Sequence, residues 1–255
     1  MPILFRRVAC LLAAALSSVS FGATLPPVPA DPIARKAELL FSDQFEGATP
    51  DPRWHKVVPT FFVTNGTLKG IQTRDQAIPA TDGKPAVVPH AAVHGLTVPT
   101  RDSVVEVRFR LDGASMVDVE FDDRAYKGSH YGHICRAQVR TNGITLIDER
   151  DGNMRNDLYA MGKDPARKAE RAALLRGRQV TYPVRVEPGR WHDLVVETAG
   201  DTMRVCLNGK PVAWLKSSGI AHPTKSKLEF GVAGRAGSFD DLKVWSAVPV
   251  TPAGR

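Results

Sequence analysis

The chain has 255 residues, 43% apolar, 24% charged and 7% aromatic, enough to bury a sizeable core and too apolar for a disordered chain. Lys and Arg outnumber Asp and Glu by 34 to 27, a net charge of +7, and no apolar run approaches the ~18 residues of a spanning helix, which excludes a polytopic membrane protein. Three Cys without a Cys-x-x-Cys pair exclude a disulfide scaffold, a zinc ribbon and a thioredoxin-like redox centre.

At the start, Arg6 and Arg7 precede an apolar stretch from Val8 to Val19 and the small residues Ser20 and Gly22. This predicts a secretory signal peptide over 1–22, cut near Gly22, and a periplasmic or secreted product. Pro26, Pro27, Pro29 and Pro32, with no apolar period around them, predict an extended linker over 23–38. The folded body is expected over 39–248, followed by a tail over 249–255.

Within the body, short alternating segments recur. Ser103 to Leu111 sets Val105, Val107, Phe109 and Leu111 against Glu106, Arg108 and Arg110, and Ser115 to Asp122 sets Val117, Val119 and Phe121 against Asp118, Glu120 and Asp122. Both have the period of a half-buried strand. Asn65-Gly66, Asn142-Gly143 and Asn208-Gly209 each lie between β-rich runs and predict hairpin turns, since Asn-Gly adopts positive φ readily. Further strands are expected at Leu39 to Phe45, Phe61 to Thr64, His133 to Arg140, Ile144 to Arg150, Gln179 to Val186, Trp191 to Thr198, Met203 to Leu207, Lys227 to Ala233 and Phe239 to Trp245. Many short strands with polar turns predict an all-β sandwich or barrel.

One segment breaks this rhythm. Asp164 as N-cap, Pro165 and the Ala-, Lys-, Arg-, Glu- and Leu-rich run to Arg176, stopped by Gly177, predict a helix of about three turns within an inserted segment over 153–178. The region 152–190 is strongly basic, which fits either a solvated face or a surface for an anionic ligand. Cys135 and Cys206 remain after the leader, and either one bridge or two separate buried thiols is compatible with their strand-like surroundings.

Both ends of the body carry a family pattern. Leu40-Phe41-Ser42-Asp43-Gln44-Phe45-Glu46-Gly47, Trp54 and Phe62-Val63-Thr64-Asn65-Gly66-Thr67-Leu68-Lys69-Gly70 open it. Gly189-Arg190-Trp191-His192-Asp193-Leu194, Met203-Arg204-Val205-Cys206-Leu207-Asn208-Gly209-Lys210, Phe230-Gly231-Val232 and Phe239-Asp240-Asp241-Leu242-Lys243-Val244-Trp245 close it. The chain thereby resembles the bacterial 3-keto-disaccharide hydrolase domain, formerly a domain of unknown function, with more distant similarity to laminin-G-like domains. The resemblance implies a concanavalin A-like jelly roll of two antiparallel sheets, here with one inserted helix, and a carbohydrate or polysaccharide as partner.

The chemistry centres on Asp118-Val119-Glu120-Phe121-Asp122. Alternation puts these carboxylates on one face of a strand, neighbours ~6.6 Å apart, and glycoside hydrolysis uses two carboxylates at about that spacing. The pattern is similar to the Glu-x-Asp-x-Glu strand of glycoside hydrolase family 16, with the acid types interchanged. Arg108 and Arg110 on the strand expected beside it, with Arg136, Gln138 and Arg140 on the polar face of His133 to Arg140, supply either a salt-bridge ladder or the groups that bind sugar hydroxyls. His130 and His133, with Asp122 and Asp123, are candidates for an acid and base pair or for metal ligands. Asp148, Glu149 and Asp151, and separately Asp240 and Asp241, are candidate Ca²⁺ or other divalent-metal ligands. The four Trp offer stacking platforms or core packing. His90 and His94 have the spacing of a zinc-protease helix without its Glu, and Pro89 and Gly95 suit a strand there. Gly-x-Ser-x-Gly, P-loop and dinucleotide fingerprints are missing from the sequence, and export with scattered acids argues against nucleic acid. Two readings follow: an exported enzyme hydrolysing or hydrating a (3-keto-)glycoside, with Asp118, Glu120 and Asp122 as first acids, or a non-catalytic glycan-binding or protein-interaction module.

Overall fold

The computed structural model describes residues 25–47 and 50–250; the expected leader lies outside the described residues, as do 251–255. In chain order the strands are β1 (Ala34–Asp43), β2 (Trp54–Val58), β3 (Phe61–Thr64), β4 (Thr67–Gly70), β5 (Ala92–Thr100), β6 (Ser103–Leu111), β7 (Ala114–Asp122), β8 (His133–Arg140) and β9 (Gly143–Asp148). The helices α1 (Asn156–Met161) and α2 (Lys168–Leu174) follow. Then come β10 (Gln179–Tyr182), β11 (Trp191–Ala199), β12 (Thr202–Leu207), β13 (Lys210–Lys216), β14 (Lys225–Gly234) and β15 (Gly237–Pro249).

The strands form two antiparallel sheets. One runs β13-β12-β11-β6-β15-β4-β3 with β1 also paired to β15, and the other runs β10-β9-β8-β7-β14-β5-β2. Facing sides meet in a single main core in which Phe109, Phe121, Phe230 and Phe239 are fully buried, each such side chain contributing ~1.5–3 kcal/mol through removal from water. The alternation of β6 holds as expected: Val105, Val107, Phe109 and Leu111 point into this core while Glu106, Arg108 and Arg110 remain partly exposed.

Asn65-Gly66 and Asn208-Gly209 turn with both residues at positive φ, between +50° and +75°, as the two-residue hairpin requires. At the remaining site Arg140 pairs with Gly143, so the turn is Thr141-Asn142 and Gly143 already belongs to the strand.

One boundary differs from the sequence expectation. The Pro-rich stretch is not a free linker: β1 begins at Ala34, and Arg204 donates to the carbonyls of Pro29 and Ala30 while pairing with buried Glu197 at 2.8 Å. The inserted segment holds the expected helix over 165–174, with a short helix ahead of it. Asp164 caps a 3-10 turn over Pro165–Arg167 through the Ala166 amide at 2.9 Å, α2 follows directly, and α1 lies upstream with Leu158 and Met161 buried. Cys135 and Cys206 are free thiols on strands of different sheets.

Candidate functional site

The outer face of the seven-stranded sheet carries the acids. Val117, Val119 and Phe121 fill the core, so alternation sends Asp118, Glu120 and Asp122 to the opposite side. Register then decides their neighbours. Glu120 lies opposite Arg136 on β8 and opposite Glu229 on β14, Asp122 lies opposite Lys227, and Asp118 lies opposite Gly231. Gly231 leaves room for the Asp118 carboxylate, which a Cβ here would displace.

A dense ionic network results. Arg136 reaches Glu120 at 2.8 Å, Asp118 at 3.4 Å and, from just beyond β9, Glu149 at 2.5 Å. His133 Nδ1 lies 2.7 Å from Glu120 and 2.9 Å from Asp122. Lys227 pairs with Asp122 at 2.9 Å and also with Glu229.

These surroundings drive the acids apart in proton affinity. Burial raises Asp118 to about 6 against the pull of Arg136. It raises Glu149 to about 7, and, with the charges of Asp122 and Glu120 added, Glu229 to about 7. For Glu120, burial is overcome by Arg136 and His133, which bring it down to about 2. His133, although burial opposes its charge, is held as an imidazolium up to about 11 by Glu120 and Asp122. One ionised carboxylate therefore sits opposite a carboxyl group that still holds its proton in about half of the molecules at neutral pH.

A cavity of about 870 Å³ opens over this face, floored by Asp118, Glu120, His133, Arg136, Lys227 and Glu229. One wall is the segment between β7 and β8, where Tyr131, 79% exposed and at φ 51°, stands at the mouth. The inserted helical segment braces that wall: His130 N donates to the Met154 carbonyl at 2.7 Å, Asn156 Nδ2 donates to the Lys127 carbonyl at 2.6 Å, and the His130 ring stacks on Tyr159 at 3.8 Å. The other wall is the hairpin arm between β4 and β5, where Arg74 bridges to His90.

Several residues singled out from the sequence lie elsewhere. Arg108 and Arg110 are on β6, which pairs with β11 and β15 and never with β7, so they sit on the outer face of the other sheet beside Trp191. The expected ladder between them and the acids does not exist. Arg140 is exposed at the end of β8, and Gln138, opposite Asp118, does not line the cavity. Asp122 is fully buried beneath Lys227 and supports the floor without lining it.

The candidate metal ligands mostly disperse. Asp123 turns to His222 at 3.0 Å and His130 to Tyr159. Asp148 accepts from the Gly219 and Asp151 amides at 2.9 Å, Glu149 faces Arg136, and Asp151 faces Arg150 at 2.9 Å. Asp241 pairs with Arg108 at 3.2 Å, and Asp240 accepts from the Asp241 amide. Glu120, Asp122 and His133 do converge within 4.8 Å, with His133 Nδ1 hydrogen-bonded to Asp122 at 2.9 Å and against Glu120 at 2.7 Å. His94 lies on β5, stacked on buried Trp54 at 5.1 Å, as the strand reading expects.

Sequence reasoning missed Glu229, Lys227 and Tyr131, and grouped Glu149 with Asp148 and Asp151 rather than with Arg136. For the first two a signal was available, since Lys227, Glu229 and Gly231 alternate with Leu228, Phe230 and Val232.

Solved structures share this architecture. SCLam, a non-specific endo-β-1,3(4)-glucanase from family GH16, is 12% identical, with 89% of this chain and 97% of that chain covered and a TM-score of 0.56. The endo-β-1,3-glucanase from Pyrococcus furiosus is 13% identical over 86% of this chain and 100% of that chain, TM-score 0.53. The laminarinase catalytic domain from Thermotoga maritima MSB8 is 13% identical over 83% of this chain and 99% of that chain, TM-score 0.53. The chain thus has the concanavalin A-like jelly-roll fold. No protein-family model matches the chain, and no curated protein matches it in sequence.

Proposed function

We propose that the protein is carbohydrate-directed and cleaves a glycosidic bond in the cavity over the seven-stranded sheet. The observation that carries this is Glu120, held ionised, at the paired position opposite Glu229, whose raised proton affinity keeps a proton available near neutral pH, on a cavity floor. Paired residues on adjacent antiparallel strands have Cβ atoms ~4.5–5.5 Å apart, which puts the two carboxyls, each two bonds further out, within reach of the ~5–5.5 Å separation used by retaining glycosidases. In this reading Glu229 gives its proton to the leaving glycosidic oxygen as Glu120 attacks the anomeric carbon. Water then hydrolyses the glycosyl ester, its proton passing to Glu229. Asp118, raised to about 6, is the second candidate acid, and Arg136 and His133 hold Glu120 charged. Tyr131 at the mouth offers an aromatic face to sugar C–H groups.

Family GH16 glucanases among the structural neighbours support the substrate class, and the family pattern at the chain's ends adds 3-keto-glycosides to the candidates. The leader expected over 1–22 supports action in the periplasm or outside the cell. A non-catalytic glycan-binding module is favoured by one feature: the side chains of Asp118, Glu120 and Glu229 are at most 5% exposed and all ion-paired. A turnover screen on neutral, anionic and 3-keto-glycosides, run with Glu120→Gln and Glu229→Gln, separates the two. Turnover lost in both variants with glycan binding kept supports the enzyme. Binding without turnover in the wild type moves the assignment to the module.

A further inference from the structure

Three cations lining the cavity, Arg74, Arg124 and Lys127, form no ion pair among the described residues, whereas Arg136 and Lys227 on its floor are paired with acids. Arg74 donates to the Val88 carbonyl at 2.9 Å and leaves a buried Nε without a partner. Arg124 meets the His55 ring, and Lys127 donates to the Arg124 carbonyl at 3.1 Å. All three are met only by neutral acceptors.

Their placement is two-sided. Arg74 belongs to the arm that leads into the start of β5, at the end of the floor where Ala92 pairs with Val232. Arg124 and Lys127 follow Asp122 at the opposite end, where Asp122 pairs with Lys227. Between them the floor offers little negative charge, because Arg136, Lys227 and His133 are already bound to its acids. An electropositive groove with a cation at each end suits a chain with an anion on either side of the bond to be cut.

Resting on the glycan reading above, we propose that the cavity takes an anionic saccharide, one carrying carboxylate or sulfate groups, and that Arg74, Arg124 and Lys127 are its specificity residues. Neither Glu120 nor Glu229 touches them, so they set which glycan enters and leave the cleavage chemistry to the floor.

The test is binding of the purified protein to three probes of matched length, a neutral β-glucan oligosaccharide, an oligouronide and a sulfated oligosaccharide, at low and high salt. Arg74→Gln, Arg124→Gln and Lys127→Gln are run alongside Arg190→Gln, which lies away from the cavity, with thermal melts to verify folding. An exposed ion pair is worth at most about fivefold in affinity, so the expected result is an anionic probe held about tenfold or more tighter than the neutral one. That preference shrinks at high salt, falls up to about fivefold with each rim variant and is untouched by Arg190→Gln. Whichever of the two anionic probes binds identifies the anion. Equal affinity for all three probes, or binding of the neutral one alone, overturns this inference and leaves the glycan reading standing. No binding to any probe, with no turnover, overturns both.

Discussion

Glu120 lies between Arg136 at 2.8 Å and His133 at 2.7 Å, and its replacement has two separable consequences. Glu120→Gln leaves these cations short of an anion, and breaking a buried pair from one side costs about 3–5 kcal/mol, so the melting temperature falls. A protein of ordinary stability survives this. Turnover falls much further, to background. Glu229→Gln acts oppositely on stability. Because the folded carboxyl is raised to about 7 from 4.5, it stays protonated while the unfolded one ionises, and wild-type stability declines as pH rises from about 4.5 to 7. Removing Glu229 removes that loss, so melts of Glu229→Gln gain on wild type across the window by on the order of 1–3 kcal/mol, at ~1.4 kcal/mol per pH unit. Glu120 contributes the reverse: lowered to about 2, it stabilises the fold above pH 4.5, and that contribution is lost as pH falls towards 2. Activity is expected to drop above about pH 7 as the Glu229 proton is lost, with the limb belonging to the coupled carboxyl cluster. Loss of this general acid lowers the rate by about 10²–10⁴. The opposed proton affinities of the acids were not legible in the sequence, because they arise from register with β8 and β14.

At the scale of the element, the alternation of β7 was legible: the same segment that buries Val117, Val119 and Phe121 had to present Asp118, Glu120 and Asp122 together. Its partners were not. β6 and β7 are joined by the tight turn at Asp112-Gly113, with Gly113 at φ 91°, which reads locally as a hairpin. The jelly roll instead sends the two strands into opposite sheets, taking Arg108 and Arg110 away from the acids. Strand pairing is decided by which faces are covered, and that depends on β14, more than 100 residues further along the chain. Gly231→Ala tests this packing. With a Cβ driven into the Asp118 carboxylate, an overpacking loss of about 1–3 kcal/mol is expected in chemical denaturation, together with reduced turnover. Unchanged stability would mean that Asp118 does not lie against β14.

For the whole molecule, the two outer faces differ in use. The eight-stranded sheet covers its outer face with Arg–Trp stacking and short ion pairs, Arg108 and Arg110 over Trp191, and secures the N-terminal stretch through Arg204 and Glu197. Deleting 25–33 would leave Arg204 without the Pro29 and Ala30 carbonyls and Glu197 without the Ile33 amide. Lost charged hydrogen bonds are worth ~1.5–3 kcal/mol each, so a fall of several kcal/mol in the guanidinium unfolding free energy is expected. The sequence showed those prolines as extended and gave no sign of their carbonyl acceptors, which meet Arg204 only after the sheet forms. The seven-stranded sheet leaves its outer face open between the hairpin arm and the helix-braced loop, and all of the proposed chemistry lies there. The most direct measurement is a crystal structure of Glu120→Gln with the glycan selected in the turnover screen. The account predicts sugar density in the cavity, a ring against Tyr131 and the glycosidic oxygen within hydrogen-bond distance of Glu229. Sugar bound instead beside Trp191 on the opposite sheet would contradict it.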